Sequence, residues 1–156
     1  MIKHALYILT SFSIFIYNLT VTYMLLTILQ MYSLKSLLHD DMYTYNGIRS
    51  VSNLDPRYNN DNIIIPYSNW RGPIWINVNS IMAYTYAAQD RKDIAINIAD
   101  NIVHMLADDL RVTNAWHESY NSINGTGLAA PGFLSWNTLS ASLHDNILHN
   151  INPLEL

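Results

Sequence analysis

Apolar residues recur at Ala95, Ile98, Ala99, Ile102, Leu106 and Leu110, the spacing of one face of an α-helix. This is the clearest periodicity in the chain. It commits the segment from about Asp90 to Leu110 to an amphipathic helix, with Asp90 expected to cap its start. A preceding helix is expected from about Asn77 to Gln89, with Val78, Ile81, Met82 and Tyr86 near one face. A further helix is expected after Ser135, placing Trp136, Leu139, Leu143 and Ile147 on one side. No segment alternates convincingly as a strand would, and no internal repeat is visible. The chain therefore reads as all-α, its helices joined by long loops. One, from about His39, passes through Tyr45-Asn46-Gly47, Asp55-Pro56-Arg57-Tyr58 and Ile65-Pro66-Tyr67 and is expected to be mostly loop with short extended pieces; the other, rich in Gly and Asn, runs from Arg111 to Leu134. Loops of such length in a compact domain are usually functional or disordered, and the aromatic residues here favour function.

Composition removes several function classes. A net charge of −4 at pH 7 does not suit a nucleic-acid surface, which is basic. Cysteine is absent, so there is no disulfide framework, thiolate nucleophile or zinc–thiolate site. His117-Glu118 lacks the second histidine of a zincin helix, and His144 and His149 are wrongly spaced to share a helix face. No Gly-x-Ser-x-Gly elbow or phosphate-binding glycine loop occurs.

Residues 4–34 contain no Asp, Glu, Lys or Arg. The apolar run over residues 5–32 is long enough to span a bilayer, which takes about 20 apolar residues. Two readings stay open for this segment, residues 1–38: a membrane anchor, with a place in the secretory pathway, or a buried helix. Residues 39–156 form the second part of the chain, where the chemistry lies.

There, Asn69-Trp70-Arg71-Gly72-Pro73-Ile74-Trp75-Ile76-Asn77-Val78-Asn79 gathers indoles, a guanidinium and carboxamides into one short segment. Sugar sites are built from such groups: flat apolar faces for pyranose rings, and planar donors and acceptors for hydroxyls. Trp70, Arg71, Trp75 and Asn79 are the candidate ligands, although Trp75 reads equally as core and Asn79 as a helix cap. Further on come Trp116-His117-Glu118-Ser119-Tyr120, Asn124-Gly125-Thr126-Gly127 and Phe133-Leu134-Ser135-Trp136. Glu118 is the carboxylate set among aromatic residues. Asp108-Asp109 looks like a carboxylate pair, but adjacent helical residues diverge by about 100°, so a solvated helix end is expected.

Taken together, these motifs resemble the C-terminal end of an (α/α)6-barrel glycoside hydrolase, most closely family 63, the processing α-glucosidases, and the related trehalases. The resemblance covers roughly residues 40–150. It implies a partial (α/α)6 barrel of the six-hairpin type, a carbohydrate substrate, and inverting hydrolysis of an α-glucosidic bond without metal or cofactor. Glu118-Ser119-Tyr120 matches the family's Glu-x-Tyr segment, which carries the general base onto Glu118. Arg71 matches the sugar-binding arginine, while Tyr120 and Trp136 line or support the subsite. Phe133-Leu134-Ser135-Trp136 has one residue more than the family's Phe-x-Trp.

The family's general acid is an aspartate well upstream, and none of Asp40, Asp41, Asp55 or Asp61 matches its motif. A fragment lacking the acid is therefore expected, prone to association where helices of the barrel are missing. The alternatives are a non-catalytic carbohydrate-binding remnant, or specificity like that of trehalase or mannosylglycerate hydrolase.

Overall fold

The structure is a computed structural model describing residues 20–26, 28–62 and 68–154. The chain divides into two compact units between Ser36 and Leu37. In the first, residues 20–26 and 28–36 are helical, and apolar side chains such as Met24, Leu26, Leu29 and Met31 are exposed. No helix among the described residues is long and apolar enough to cross a membrane. Much of the apolar run over residues 5–32 lies outside the described residues, as does Ile65-Pro66-Tyr67 of the first loop.

The second unit is helix-rich but not all-α. In chain order it holds a hairpin of β1 (Tyr43–Thr44) and β2 (Gly47–Ile48), then helices α1 (Ile76–Ala88) and α2 (Lys92–Thr113). A second hairpin follows, β3 (His117–Tyr120) and β4 (Gly127–Pro131), then one 3-10 turn (Trp136–Leu139) running into α3 (Ser140–Leu148). Both hairpins are antiparallel. The first hairpin supplies short extended pieces of the kind expected in the loop from His39, whereas the second corrects the expectation of a plain loop from Arg111 to Leu134. Strands of two to five residues are too short for alternation to register in a sequence.

Helix α2 buries Ile94, Ala95, Ile98, Ala99, Ile102, Met105 and Leu106, largely the stripe expected of it. Each fully buried Ile contributes about 1.5–3 kcal/mol relative to exposure. The helix ends where Asn114 turns left-handed (φ 60°) and donates its N–H to Leu110 O. Asp90 does not cap it. Asp90 is itself left-handed (φ 59°), and the N-cap position falls to Arg91, whose guanidinium pairs with Asp93 in the first turn.

Helix α1 departs further from expectation. It buries Ile76, Asn79, Ser80, Ala83, Tyr84 and Tyr86, whereas Ile81 is 43% exposed. Hydropathy misassigns this face because two polar residues on it complete their hydrogen bonds internally. Ser80 Oγ donates to Ile76 O at 2.7 Å. Asn79 Oδ1 accepts from Ile48 N at 2.7 Å, while its Nδ2 donates to Ile48 O and Trp75 O, both at 3.0 Å. Asn79 thus completes the hydrogen bonding of β2 from a fully buried position. In α3 the expected Leu143 and Ile147 are buried, but Leu139, in the tighter 3-10 turn, is not.

The short α1–α2 connection makes these helices antiparallel neighbours, and α3 packs on α2. The start of α1 and the end of α2 therefore share one end of the helical layer. There the loops are joined by Ile74, which bridges to Arg49 on one side and Tyr120 on the other. Ile74 N donates to Tyr120 O at 2.8 Å and Tyr120 N to Ile74 O at 3.0 Å, drawing both halves of the chain onto one junction.

Asn79→Ala is expected to orphan both polar groups of Ile48, at about 1–3 kcal/mol for each group left unsatisfied. Urea denaturation followed by circular dichroism checks this; an unchanged midpoint would contradict the anchoring role. Burial, reinforced by neighbouring Tyr43, pushes the Tyr86 phenol from 10.0 up to about 12, with Arg91 opposing. The neutral phenol is therefore favoured in the folded state. Its contribution to stability is complete below pH 10.0 and is lost as pH rises from there through about 12. Tyr86→Phe should flatten that alkaline decline in the urea midpoint.

Candidate active site

Glu118 lies in β3, half-buried, between His117 and Ser119, where the hairpin register shifts. Its carbonyl accepts the indole N–H of Trp136 at 3.1 Å, and its Oε1 accepts a hydrogen bond from Ser68 Oγ at 3.0 Å. Backbone and side chain of the one glutamate are thus held by two distant segments. The bond to Trp136 also ties Glu118 to an aromatic group. Trp136 lies 5.6 Å from Trp75 with ring planes at 51°, and 4.5 Å from Phe133 at 47°.

Trp70 and Trp75 are stacked, centroids 3.6 Å apart and planes within 10°. Gly72-Pro73 turns the chain between them, and Gly72 is required there. It adopts φ 156°, and a Cβ would lie 2.7 Å from the Tyr58 ring and 2.8 Å from Asn59 O. Trp75 is fully buried, with its Nε1 donating to Asn69 O at 3.0 Å. Trp70, 44% exposed, offers solvent the outer surface of the stack. Of the two readings of Trp75, core prevails, and it acts as the platform beneath Trp70.

Arg71 is exposed. Its backbone is fixed, N–H to Asn69 Oδ1 and C=O from Asn59 N, while its guanidinium has no partner among the described residues. Asn79 and Tyr120 do not face an open surface, contrary to the expectation that they meet substrate. Asn79 is committed to Ile48 and Trp75. Tyr120 is fully buried with its hydroxyl accepting His117 N at 3.0 Å. Burial raises the Tyr120 phenol far above its ordinary range, so it stays neutral, a structural post behind the strand.

Asp109 is a second correction. Asp108 is exposed and pairs with Arg111, as a solvated helix end should. Asp109 is instead buried, its Oδ2 2.9 Å from His117 Nδ1 and its Oδ1 accepting Thr113 Oγ1 at 3.0 Å. The helical period contained the signal, since position 109 follows 102 and 106 by seven and three. Leu110, assigned to the stripe, is 47% exposed. Sequence reasoning also missed Ser68, and Asn137, whose Nδ2 donates to His117 O at 2.8 Å.

The carboxyls whose pKa values move do so downward. Asp55 is drawn to about 2 by its hydrogen bonds from Arg57. Asp41 is lowered chiefly by its hydrogen bond from Ser52, and Asp93 by that from Arg91. A general acid requires the opposite shift. Among the described residues no group of three or more His, Cys, Asp or Glu side chains is placed to hold a metal ion.

Comparison with known proteins gives this arrangement a family. Residues 11–145 match the model of the glycosyl hydrolase family 63 C-terminal domain. A probable mannosyl-oligosaccharide glucosidase of Schizosaccharomyces pombe is 27% identical over 123 residues, 71% of this chain and 15% of that protein. Two crystal structures of Thermus thermophilus proteins share the fold. A family 63 mannosylglycerate hydrolase in complex with Tris has TM-score 0.52 and 20% identity, over 76% of this chain and 25% of the other. An uncharacterized conserved protein has TM-score 0.51 and 23% identity, over 64% and 22%. The chain thus spans a quarter or less of the length of each of these relatives. The match over most of its length makes the chain a member of glycosyl hydrolase family 63.

Proposed function

We propose that this chain carries the general-base half of a glycoside hydrolase site that cleaves α-glucosidic bonds in oligosaccharides with inversion, on part of an (α/α)6 barrel. The observation that carries the reading is Glu118 itself. It is half-buried, fixed through its carbonyl to Trp136, and supplied with only one hydrogen bond to its carboxylate among the described residues. A carboxylate so placed keeps lone pairs for a water molecule. It would take a proton from that water as the oxygen attacks the anomeric carbon. An acid on the opposite side would protonate the departing glycosidic oxygen, and the configuration would invert. Inverting sites hold their two carboxyls about 6.5–9.5 Å apart to leave room for the water.

The outer surface of Trp70 would stack on a pyranose ring, Trp75 and Trp136 would keep that surface in place, and Arg71 would hold sugar hydroxyls. The acid is proposed to lie outside the described residues, because none of Asp40, Asp41, Asp55 or Asp61 matches the family's acid motif and Asp109 is buried. Mannosyl-oligosaccharides are the favoured substrate class, on the likeness to the yeast protein named a probable glucosidase of these sugars. That no acid is assigned opposite Glu118 among the described residues supports a second reading, carbohydrate binding without hydrolysis.

The test is hydrolysis of a panel of α-linked di- and oligosaccharides, with product anomers read by NMR. Turnover that releases the inverted anomer and disappears in Glu118→Gln supports the base assignment. Turnover unchanged in the variant would sink it, and binding without turnover would select the second reading. Trp70→Ala should weaken sugar binding about fivefold to tenfold, equivalent to roughly 1 kcal/mol, measured by calorimetry. Because Trp70 stacks on buried Trp75, its removal should also lower stability by about 0.5–1.5 kcal/mol for the lost stack, read from the urea midpoint; a fall of several kcal/mol would make it a core residue instead.

A further inference from the structure

The buried Asp109 has no part in the chemistry proposed above, and its position is unfavourable twice over. A carboxylate taken out of water costs several kcal/mol unless it is paired and hydrogen-bonded. It also sits in the final turns of α2, where the helix dipole disfavours a negative charge. Thr113 Oγ1 bonds Oδ1, His117 Nδ1 bonds Oδ2, and the Tyr120 hydroxyl also bears on the carboxylate. A group retained at such cost calls for a role beyond filling space.

That role is visible at His117. Its N–H is bonded by Tyr120 Oη, its C=O by Asn137 Nδ2 and its ring by Asp109. The ring also rests directly on Gly127 of β4. A Cβ there would fall 2.1 Å from His117 Nδ1, so only glycine leaves space for the imidazole. His117 is thus fixed at both backbone polar atoms and at its ring. It is the residue immediately before Glu118, at the register shift of the hairpin. The ladder is irregular here, so the direction of each side chain is read from its contacts. The His117 ring faces α2 and Gly127 while the Glu118 carboxylate faces Ser68.

We propose that Asp109 and His117 are positioning residues: the buried pair pins the back of β3 to α2 and thereby sets the direction of the Glu118 carboxylate on the front. The pair acts through the strand and does not touch substrate. Its catalytic consequence rests on the general-base reading of Glu118; the mechanical coupling does not.

The sequence permits a direct test on the full chain, because Glu118 and Glu155 are its only glutamates. Labelling glutamate with carbon-13 at Cδ yields two carboxyl resonances, assigned by their loss in Glu118→Gln. His117→Phe keeps ring volume and removes the bond to Asp109. His117→Asn loses volume but keeps a donor, Nδ2, where Nδ1 had been. The coupling predicts that the Glu118 resonance moves in His117→Phe and returns towards wild type in His117→Asn, with Glu155 unmoved. A wild-type Glu118 resonance in folded His117→Phe, or no restoration by His117→Asn, would overturn the proposal.

If His117→Phe does not fold, Thr113→Val decides. It removes the hydroxyl that bonds Asp109 Oδ1, along with that hydroxyl's contacts to Asp109 O and the Ala115 backbone, and leaves His117 intact; an unmoved Glu118 resonance there also overturns the coupling. In protein that turns over, His117→Phe should lower kcat roughly tenfold to a hundredfold with KM little changed, the effect of a misdirected base. A shift in KM with kcat unchanged would overturn the positioning role. Wild-type protein without turnover but with the carbon-13 shifts intact would refute the hydrolase reading alone.

Discussion

Two backbone hydrogen bonds between Ile74 and Tyr120 hold the site together. Buried peptide groups must find partners. At this position, between two long connecting segments, neither residue has a neighbour within its own helix or hairpin to supply them all. Each finds the other across 46 positions of sequence, and Ile74 also bridges Arg49. Trp75 follows Ile74 directly, and Glu118 lies two residues before Tyr120. The bridge therefore fixes the distance between the aromatic platform and the carboxylate. Both residues are fully buried, so competition from water is excluded.

Around that junction the chain uses polar side chains as structural members. Asn79 completes β2, Asn69 accepts or donates to Asn59, Asp61 and Arg71, and Asn137 caps the carbonyls of His117 and Phe133. The buried Arg49 belongs to the same system. Its guanidinium donates to Asp40 O, Asp41 O and Ser122 Oγ, so its charge is spread over carbonyl and hydroxyl acceptors. Such side chains satisfy an irregular backbone that no regular ladder could reach. They also make the region sensitive to single substitutions, because removing one partner strands another buried group. An aromatic cleft with few regular elements can be rigid on these terms.

Legibility in the sequence followed the physics of each feature. The stripe of α2 was readable because burial there is apolar and periodic; it failed at its end, where a paired aspartate replaces a hydrophobic residue at position 109. The face of α1 was misread because Asn79 and Ser80 are buried with their hydrogen bonds made, and hydropathy scores them as solvent-facing. The hairpin of β3 and β4 was invisible because strands of so few residues carry no pattern, whereas the turn residues around Tyr45-Asn46-Gly47 marked the short extended pieces of the first. Glu118, Trp136 and Trp70 were singled out by motif, and the structure places Glu118 against Trp136 and Trp70 against Trp75. What sequence could not disclose was that Tyr120 and Asn79 turn inward. A phenol or a carboxamide looks the same in a sequence whether it meets a sugar or a buried backbone.

The contrast between Glu118 and Asp109 explains how one short region can hold both a structural and a reactive carboxylate. An ionised carboxylate has about four lone-pair sites over its two oxygens. At Asp109 each oxygen already has a partner, and burial keeps water away; a proton delivered there would break the contact with His117 or Thr113. At Glu118 one oxygen takes a single bond from a serine hydroxyl, and the other has no partner among the described residues. Protonating it disrupts nothing that holds the strand, since the strand is held through the Glu118 carbonyl and through His117. Separating the groups that carry the load from the group that takes the proton lets β3 stay in place through a change of charge. For a base that must cycle between ionised and neutral states, that separation is the physical requirement.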